Sequence, residues 1–215
     1  MAWRNQCSIR RNQGNRRNAD VSAICLRDLL VAVWFTLVTT MIFGVLYPLA
    51  VTDLAQVRFH ERANGQLIEK DGKLVGSRII GQAFTGSGYF HSRPSSAGTG
   101  YDAMASGGSY LAPTNKNLIE RVKADAQKLH EENPDAAIPI DLVTTSGSGL
   151  DPDISPEAAE FQIPRIAHSR NLKQDDLRAL VQKHTKGRDL GFLGEPRVNV
   201  LGLNLELDSL HNNGR

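Results

Sequence analysis

The chain has 215 residues, with 25 basic and 23 acidic side chains and a formal net charge of +2. So small a positive excess gives no reason to expect a nucleic acid as partner. A mean hydropathy of −0.30 excludes a protein built mostly of membrane spans. One long apolar stretch, residues 29–51, therefore indicates a single membrane segment attached to a water-soluble body.

Residues 1–28 are rich in arginine and asparagine and have little apolar periodicity, which predicts a disordered basic lead. Basic residues close to a membrane span tend to stay in the cytoplasm. We therefore expect a cytoplasmic lead and an extracytoplasmic C-terminal part. Both cysteines, Cys7 and Cys25, precede the span, so the exported part has no thiol that could form a disulfide.

The apolar stretch at 29–51 contains 23 consecutive uncharged residues. As a helix it would be roughly 34 Å long, enough to cross a hydrocarbon core of about 30 Å. It is longer than the apolar part of a signal peptide and lacks an Ala-x-Ala-like site, so we expect a transmembrane helix that is not cleaved.

Small side chains recur at every fourth position of this stretch, at Ala32, Thr36, Thr40 and Gly44. Stripes of this kind allow a second helix to approach closely in lipid. The same residues also fit a plain anchor in which the small side chains are incidental. The stripe alone leaves both interpretations open.

The first elements after the span are a hairpin and a long irregular segment. Asp71-Gly72 separates two short apolar runs and predicts a two-residue β-hairpin turn. Residues 83–114 are dominated by glycine, serine and isolated aromatics, and a loop of that length is usually functional or docked on another surface. Four of its side chains fit either an exposed recognition surface or a segment folded inward: Tyr89, Phe90, Arg93 and Tyr101.

Residues 115–133 form the clearest predicted helix of the soluble part. Its apolar face consists of Ile119, Val122, Ala126 and Leu129, at helical spacing. Residues 138–146 then alternate apolar and polar side chains, which predicts a half-buried strand.

Three further segments complete the soluble part. Ser155-Pro156 resembles an N-cap followed by proline at the first helical position, and Pro164 is expected to kink or break that helix. Residues 174–186 predict an amphipathic helix, whereas 198–210 fit both the helical and the strand period. Residues 52–215 are therefore expected to form one mixed α/β extracytoplasmic domain of ordinary size.

Recognisable catalytic motifs are absent from the sequence. The six histidines are scattered and form no His-x-x-x-His zinc pair. Residues 76–83 have the glycine spacing of a phosphate loop, but Gln82 and Ala83 replace the Lys-Ser/Thr pair that would reach phosphate and Mg²⁺. We therefore expect no metal or organic cofactor and no independent enzyme or transporter.

One small-residue loop precedes the predicted helix at 115–133. Its residues are Ser106, Gly107, Gly108 and Ser109. Backbone amides in such loops can bind anions. An exposed flexible turn is the simpler interpretation of the same residues.

Several long blocks resemble the C subunit of the Kdp-type potassium-transporting ATPase. They are GVLYPLAVT, GSRIIGQAFTGSGYFHSRPS, LVTTSGSGLDPDISPEAAEFQIPRIAHSR and HTKGRDLGFLGEPRVNVLGLNLELD. The resemblance runs in order from about residue 29 to 210, whereas the arginine-rich lead lies outside it. It implies a non-catalytic accessory subunit of a high-affinity, ATP-driven potassium uptake complex in the bacterial plasma (inner) membrane.

The partners implied by this resemblance are a channel-like potassium-binding subunit, a P-type ATPase subunit that hydrolyses ATP, and a small single-helix subunit. A role as catalytic chaperone, raising the ATP affinity of the hydrolysing subunit, is implied as well. The loop at 106–109 resembles the signature loop of ABC transporters, so the family suggests that it contacts ATP.

The expected orientation places this loop outside the cell, so physical reasoning favours assembly of the complex as the function. A membrane-anchored extracytoplasmic ligand-binding or sensor module that acts alone is the alternative. It predicts saturable binding of a small ligand by residues 52–215 without partners.

Overall fold

The computed structural model describes residues 26–70 and 72–213, and the side chains of all but the last three of these. The described residues form two compact units, 26–63 and 64–213. The predicted basic lead lies outside the described residues except for 26–28, and Gly72 alone is described from the predicted hairpin turn.

The first unit is dominated by one helix, α1, at Leu26–Arg58. Its 33 residues include an 18-residue window of mean hydropathy 2.4, none of which is buried. By length and composition α1 is able to cross a membrane, and the helix predicted at 29–51 is confirmed. A short helix, α2 (His60–Ala63), follows it.

The middle of α1 is a π-helical segment, Thr40–Leu46, in which the Tyr47 amide donates to the Ile42 carbonyl. Pro48 follows this segment. Because proline has no N–H and its ring clashes with the carbonyl four residues earlier, the wider π turn accommodates Pro48 without ending the helix.

The second unit contains two small antiparallel sheets. The first is the predicted hairpin, with Leu67 opposite Ser77 and Lys70 opposite Lys73. The second sheet has the strand order β3-β5-β4. The five strands are β1 (Leu67–Lys70), β2 (Lys73–Ser77), β3 (Asp153–Ile154), β4 (Thr185–Lys186) and β5 (Arg197–Asn199).

Four helices accompany the sheets: α3 (Lys116–Glu132), α4 (Pro156–Arg170), α5 (Gln174–His184) and α6 (Val200–Asn213). Two of them begin at capping side chains, at Asn115 and at Ser155, and the second of these N-caps was predicted. The Asn115 side chain accepts from the Asn117 amide, and the Ser155 hydroxyl accepts from the Ala158 amide. Such caps satisfy amides that have no partner within the helix.

The strand predicted at 138–146 is wrong. The structure has a 3₁₀ turn at Ile140–Leu142, followed by irregular chain. Pro139 precedes the turn and cannot donate to a ladder, and Asp141 accepts a hydrogen bond from the Ser155 amide at 2.8 Å. Leu142 is buried. Burial of this side chain and the hydrogen bond of Asp141 therefore hold the segment in place without strand pairing.

A break at Pro164 is also not observed, because α4 continues to Arg170. Ile163 and Ile166, on either side of the proline, are completely buried. Packing of both halves against one core offsets the backbone hydrogen bond that proline removes. The ambiguous segment 198–210 divides at Val200, with β5 before that point and α6 from it onward.

The core of this unit lies between α4, α5, α6 and the sheet β3-β5-β4. Its fully buried large side chains are mainly aliphatic: Ile154, Ile163, Ile166, Leu177, Val198, Val200, Leu203 and Leu207. Phe90 joins them from the irregular segment 83–114. That segment has one 3₁₀ turn, Ala103–Ala105, and is the part of the fold that carries the candidate site.

Candidate functional site

Residues 87–91 form the centre of the candidate site, and we call them the clamped segment. They pair with no described strand. Side chains of α4 and α6 form hydrogen bonds with their backbone instead. The Asn204 side chain on α6 accepts from the Phe90 amide and donates to the Phe90 carbonyl, both at 2.9 Å. Because a side-chain amide offers the same donor and acceptor as a backbone peptide, Asn204 takes the place of a neighbouring strand.

The next residue is held in the same way by α4. Gln162 accepts from the His91 amide at 2.7 Å and donates to the His91 carbonyl at 3.1 Å. Gln162 and Asn204 are each only 2% exposed. Buried amides of this kind stabilise a fold only while their partners stay in place, so this pair determines the path of the segment.

Two arginines hold the other backbone carbonyls of the clamped segment. Arg165 on α4 donates to the carbonyls of Ser87 and Tyr89. Arg170 donates to the Gly88 carbonyl at 2.6 Å, and its guanidinium lies 4.5 Å from the centre of the Tyr89 ring. These contacts combine charge-assisted hydrogen bonds with a cation–π interaction.

Partial burial lowers the pKa of two side chains at the clamped segment, Arg165 and His91. Burial lowers the pKa of Arg165, against the opposing effect of Glu132. Burial, and then the positive charge of Arg165, lower the pKa of His91, whose ring lies 3.0 Å from the Gly86 carbonyl. Desolvation disfavours a charged imidazole, so the folded chain binds a proton at His91 less tightly than the unfolded chain does.

A second layer of contacts follows at Arg93 and Tyr101. The Arg93 guanidinium pairs with Asp151 at 3.3 Å, and its backbone carbonyl accepts from the Tyr101 hydroxyl. Burial raises the pKa of Tyr101. The question left open by the sequence is thus resolved: Phe90 is fully buried and Tyr89, Arg93 and Tyr101 are partly buried, so these side chains fold inward.

The small-residue loop at 106–109 lies against residues 146–149. The Ser106 hydroxyl and the Gly107 amide both donate to the Ser148 carbonyl, at 3.0 and 2.8 Å. At Gly108, an added Cβ would lie 3.2 Å from the Gly147 carbonyl oxygen. The Gly107 amide, one of the backbone amides considered for an anion, therefore bonds within the protein, as does the Ser106 hydroxyl. Ser109 completes the loop before the exposed Tyr110.

The stripe Ala32, Thr36, Thr40 and Gly44 lies along α1. Thr36 donates its hydroxyl to the Ala32 carbonyl at 2.8 Å, and an added Cβ at Gly44 would meet the Thr40 methyl at 3.6 Å. The side-chain hydroxyl of Thr36 is thus satisfied within the helix, which suits an apolar environment. In an α-helix, a step of four residues goes slightly beyond one full turn. In the π-helical segment the turn is wider, because its hydrogen bonds run from i to i+5, so the four residues from Thr40 to Gly44 cover slightly less than one turn.

The second unit has depressions of different size and lining. The larger, about 720 Å³, lies between α4, α5 and residues 133–139, and Phe161, Pro164 and Val181 contribute to its apolar lining. The smaller, about 340 Å³, is lined by Arg93 and several carboxylates. Within residues 26–70 and 72–213, no group of three or more His, Cys, Asp or Glu side chains is arranged to hold a metal ion.

Comparison with known sequences identifies the family. A family model described as "KdpC: K+-transporting ATPase, c chain" matches residues 29–209. The chain belongs to the KdpC family.

Relatives from three bacteria are each named "Potassium-transporting ATPase KdpC subunit". The Koribacter versatilis protein is 56% identical over 182 residues, covering 85% of this chain and 94% of its own length. A Rhodopseudomonas palustris protein is 54% identical, covering 86% and 98%, and the Bradyrhizobium diazoefficiens protein 53%, covering 85% and 97%. The resemblance expected from the sequence blocks is therefore confirmed, and the chain is a KdpC-type accessory subunit.

Sequence reasoning missed the residues that hold the clamped segment: Gln162, Arg165, Arg170 and Asn204. A signal was present for two of them. Gln162 and Asn204 interrupt apolar runs in AEFQI and GLNLEL, and a polar side chain at a core position requires a buried partner. The sequence does not reveal that the partner is a loop more than 70 residues away.

Proposed function

We propose that this KdpC-family chain assembles and stabilises a high-affinity, ATP-driven potassium uptake complex without hydrolysing ATP itself. It is held by α1 in the bacterial plasma membrane, with residues 1–28 in the cytoplasm and the domain at 52–215 outside. Its partners are a channel-like potassium-binding subunit, a P-type ATPase subunit and a small single-helix subunit. Membership of the KdpC family, with relatives at 53–56% identity, is the observation that carries this proposal.

The architecture supports a scaffold role. The clamped segment is bound through its backbone groups to side chains of α4 and α6, so these five residues have a fixed path although they belong to no strand. A surface fixed in advance loses less conformational entropy on association than a flexible one. Rigid presentation of loops is what an assembly subunit requires.

The stripe on α1 is the proposed contact for a partner helix in the membrane. Gly44→Leu and Thr40→Leu place bulky groups on it, whereas the control Val38→Leu places leucine on a different face and adds only one methylene there. An added Cβ at Gly44 meets the Thr40 methyl at 3.6 Å, an ordinary contact distance, so the first carbon of the new side chain fits on α1. We expect the two stripe variants to lose co-purification with the other subunits in detergent and Val38→Leu to retain it.

Equal recovery of all three variants would contradict the stripe contact. The assembly role is tested separately by the wild-type protein, which should co-purify with the other subunits. The sensor alternative predicts instead that residues 52–215 bind a small ligand saturably with no partner present.

The catalytic-chaperone role is a second proposal and rests on the family resemblance. In it, the loop Ser106, Gly107, Gly108 and Ser109 contacts ATP bound to the hydrolysing subunit. Because Ser106 and Gly107 donate to Ser148, a phosphate would have to compete with that carbonyl. Ser106→Ala should then raise the KM for ATP of the intact complex, whereas an unchanged KM in fully assembled complex would contradict nucleotide contact.

Orientation is tested separately. A reporter active only outside the cytoplasm, fused after residue 215, should be active. A reporter active only in the cytoplasm, fused at the same point, should be silent. The reverse result would place the domain in the cytoplasm and make direct ATP contact by the loop easier to accept.

A further inference from the structure

Residues 188–194 form a tight turn between β4 and β5 that we call the finger. Its apolar side chains point outward: Leu190 is 82% exposed, Phe192 70% and Leu193 49%. Single exposed apolar residues are common on soluble domains, but here three lie within four positions of one tight turn. Such patches mark interaction sites.

The finger is ordered although its side chains have few contacts. Asp189 and Leu193 exchange backbone hydrogen bonds at 2.8 and 2.9 Å, and the Gly191 amide donates to the Arg188 carbonyl. These bonds close the turn. The backbone that carries the apolar side chains is therefore held by hydrogen bonds within the finger.

Leu190 adopts a left-handed backbone conformation, with φ of 54°. This conformation costs a residue other than glycine about 1–2 kcal/mol, and within the protein Leu190 gains little burial in return. Asparagine or glycine would fit the turn with less strain. A strained, exposed leucine points to a use for its side chain outside the chain itself.

The base of the finger carries paired charges of both signs. Arg188 pairs with Glu195 at 2.7 Å, and Arg197 pairs with Asp189 at 3.2 Å and with Asp153 at 3.4 Å. Segments that bind an anionic lipid surface have an excess of lysine and arginine, which this base lacks. A rim of paired charges around an aromatic and aliphatic tip is typical of a protein–protein contact.

We infer that the finger docks on another subunit of the same complex, with Leu190 and Phe192 inserted into an apolar pocket that has a polar rim. The inference rests on the proposed assembly role, because it requires a partner subunit. It adds a second contact to the one proposed for α1 and assigns it to a specific element of the soluble domain.

The test uses the full chain co-expressed with the other subunits. Leu190→Asn combined with Phe192→Ser removes the apolar tip, and asparagine tolerates the left-handed conformation. Ile140→Ser is the matched control, since Ile140 is also 70% exposed but lies outside the finger. We expect the double variant to be retained in the washed complex roughly tenfold less than wild type, the effect of losing one hot-spot contact, and the control to be retained normally.

Thermal unfolding of each chain without its partners checks that the substitutions leave the fold intact, and midpoints equal to or above that of wild type are expected because asparagine relieves the strain at position 190. Co-purification of wild type with equal retention of the double variant would overturn the finger contact while leaving the assembly role intact. Failure of wild type itself to co-purify would overturn the assembly role, and the finger contact with it.

A fluorophore sensitive to polarity, attached at Leu190→Cys in a Cys7→Ser, Cys25→Ser background, identifies what covers the tip. We expect a blue shift only in the assembled complex. A shift for the chain alone in phosphatidylethanolamine–phosphatidylglycerol vesicles would overturn the proposal in favour of lipid. A shift for the chain alone in detergent that disappears on dilution would overturn it in favour of a second copy of this chain.

Discussion

The clamped segment and the finger are both irregular, both contain glycine and each carries a phenylalanine, but the two phenylalanines have opposite environments. Phe90 is fully buried, whereas Phe192 is 70% exposed. The clamped segment is covered by side chains of α4 and α6 that bond to its backbone. The finger is closed by its own backbone bonds and short-range ion pairs.

This difference shows that irregular chain becomes core only where another element satisfies its peptide groups. Burying Phe90 also buries the amides and carbonyls beside it, and each would be costly without a partner. Asn204 and Gln162 remove that cost. No described side chain forms hydrogen bonds with the backbone of the finger tip in this way, and the Phe192 side chain remains accessible to a partner.

The largest expected effect separates the two phenylalanines directly. Phe90→Ala should lower the free energy of unfolding by about 3–5 kcal/mol, because it leaves a cavity in the core. Phe192→Ala should change it by less than about 0.5 kcal/mol, because that side chain is mostly in water. Urea unfolding followed by circular dichroism, with the full chain in detergent, measures both. Similar losses would contradict the contrast between the two segments.

The next effect isolates the side chain that replaces a strand. Asn204→Leu keeps the size of the side chain but leaves the Phe90 amide and carbonyl without partners, for a loss of about 3 kcal/mol. Asn117→Leu, on the exposed face of α3, is the control and should be nearly neutral. The same urea titration serves for both, and a neutral Asn204→Leu would mean that packing alone holds the clamped segment.

A pair of glycines compares close packing in the loop region with open space in the finger. Gly149 and Gly191 both have positive φ, 67° and 83°, but an added Cβ at Gly149 would lie 2.6 Å from the Gly107 carbonyl oxygen, whereas nothing lies within 4 Å at Gly191. Gly191→Ala should cost about 1 kcal/mol for its conformation alone.

Gly149→Ala should cost about 1 kcal/mol more than Gly191→Ala, because Gly107 must also move and well-packed sites resist added atoms. The difference between the two unfolding free energies is the measured quantity. Equal costs would indicate that the loop at 106–109 is loosely attached to residues 146–149.

The smallest effect is a dependence on pH that belongs to the clamped segment. Burial and Arg165 lower the pKa of His91 in the folded chain, so the unfolded chain binds this proton more tightly. Stability contributed by neutral His91 is therefore present above its ordinary pKa of about 6.5 and is lost as the pH falls below that value. One proton limits the slope to about 1.4 kcal/mol per pH unit.

The matched comparison is His91→Gln, which should show a shallower loss of stability between pH 7 and pH 5. Unfolding free energies at three pH values measure the slopes. An identical slope in the variant would assign the pH dependence to other groups.

Local chemistry in the sequence predicted much of the fold. Asn115 and Ser155 start helices that their side chains cap, and the strands on either side of the predicted turn pair with each other. Each depends on residues within a few positions of one another. Even the buried Gln162 and Asn204 were visible in the sequence as polar residues within apolar runs.

Other features depended on distant residues. Residues 138–146 have the alternation of a strand, but Asp141 bonds to Ser155 and no strand lies beside them. Pro164 is tolerated because both halves of α4 pack against one core. Segment 198–210 fits both the strand and the helical period. Val198 is in a strand because it pairs with Ile154 and Thr185, and α6 begins two residues later.

By itself, the sequence determined that α1 is a long apolar helix, where α3, α4 and α5 begin and which family the chain belongs to, because these follow from composition, local pattern and long sequence blocks. The tertiary structure alone decided that Phe90 is buried while Phe192 is presented at the surface. The physical reason is that both segments have similar local preferences, and side chains more than 70 residues away satisfy the backbone of only one of them.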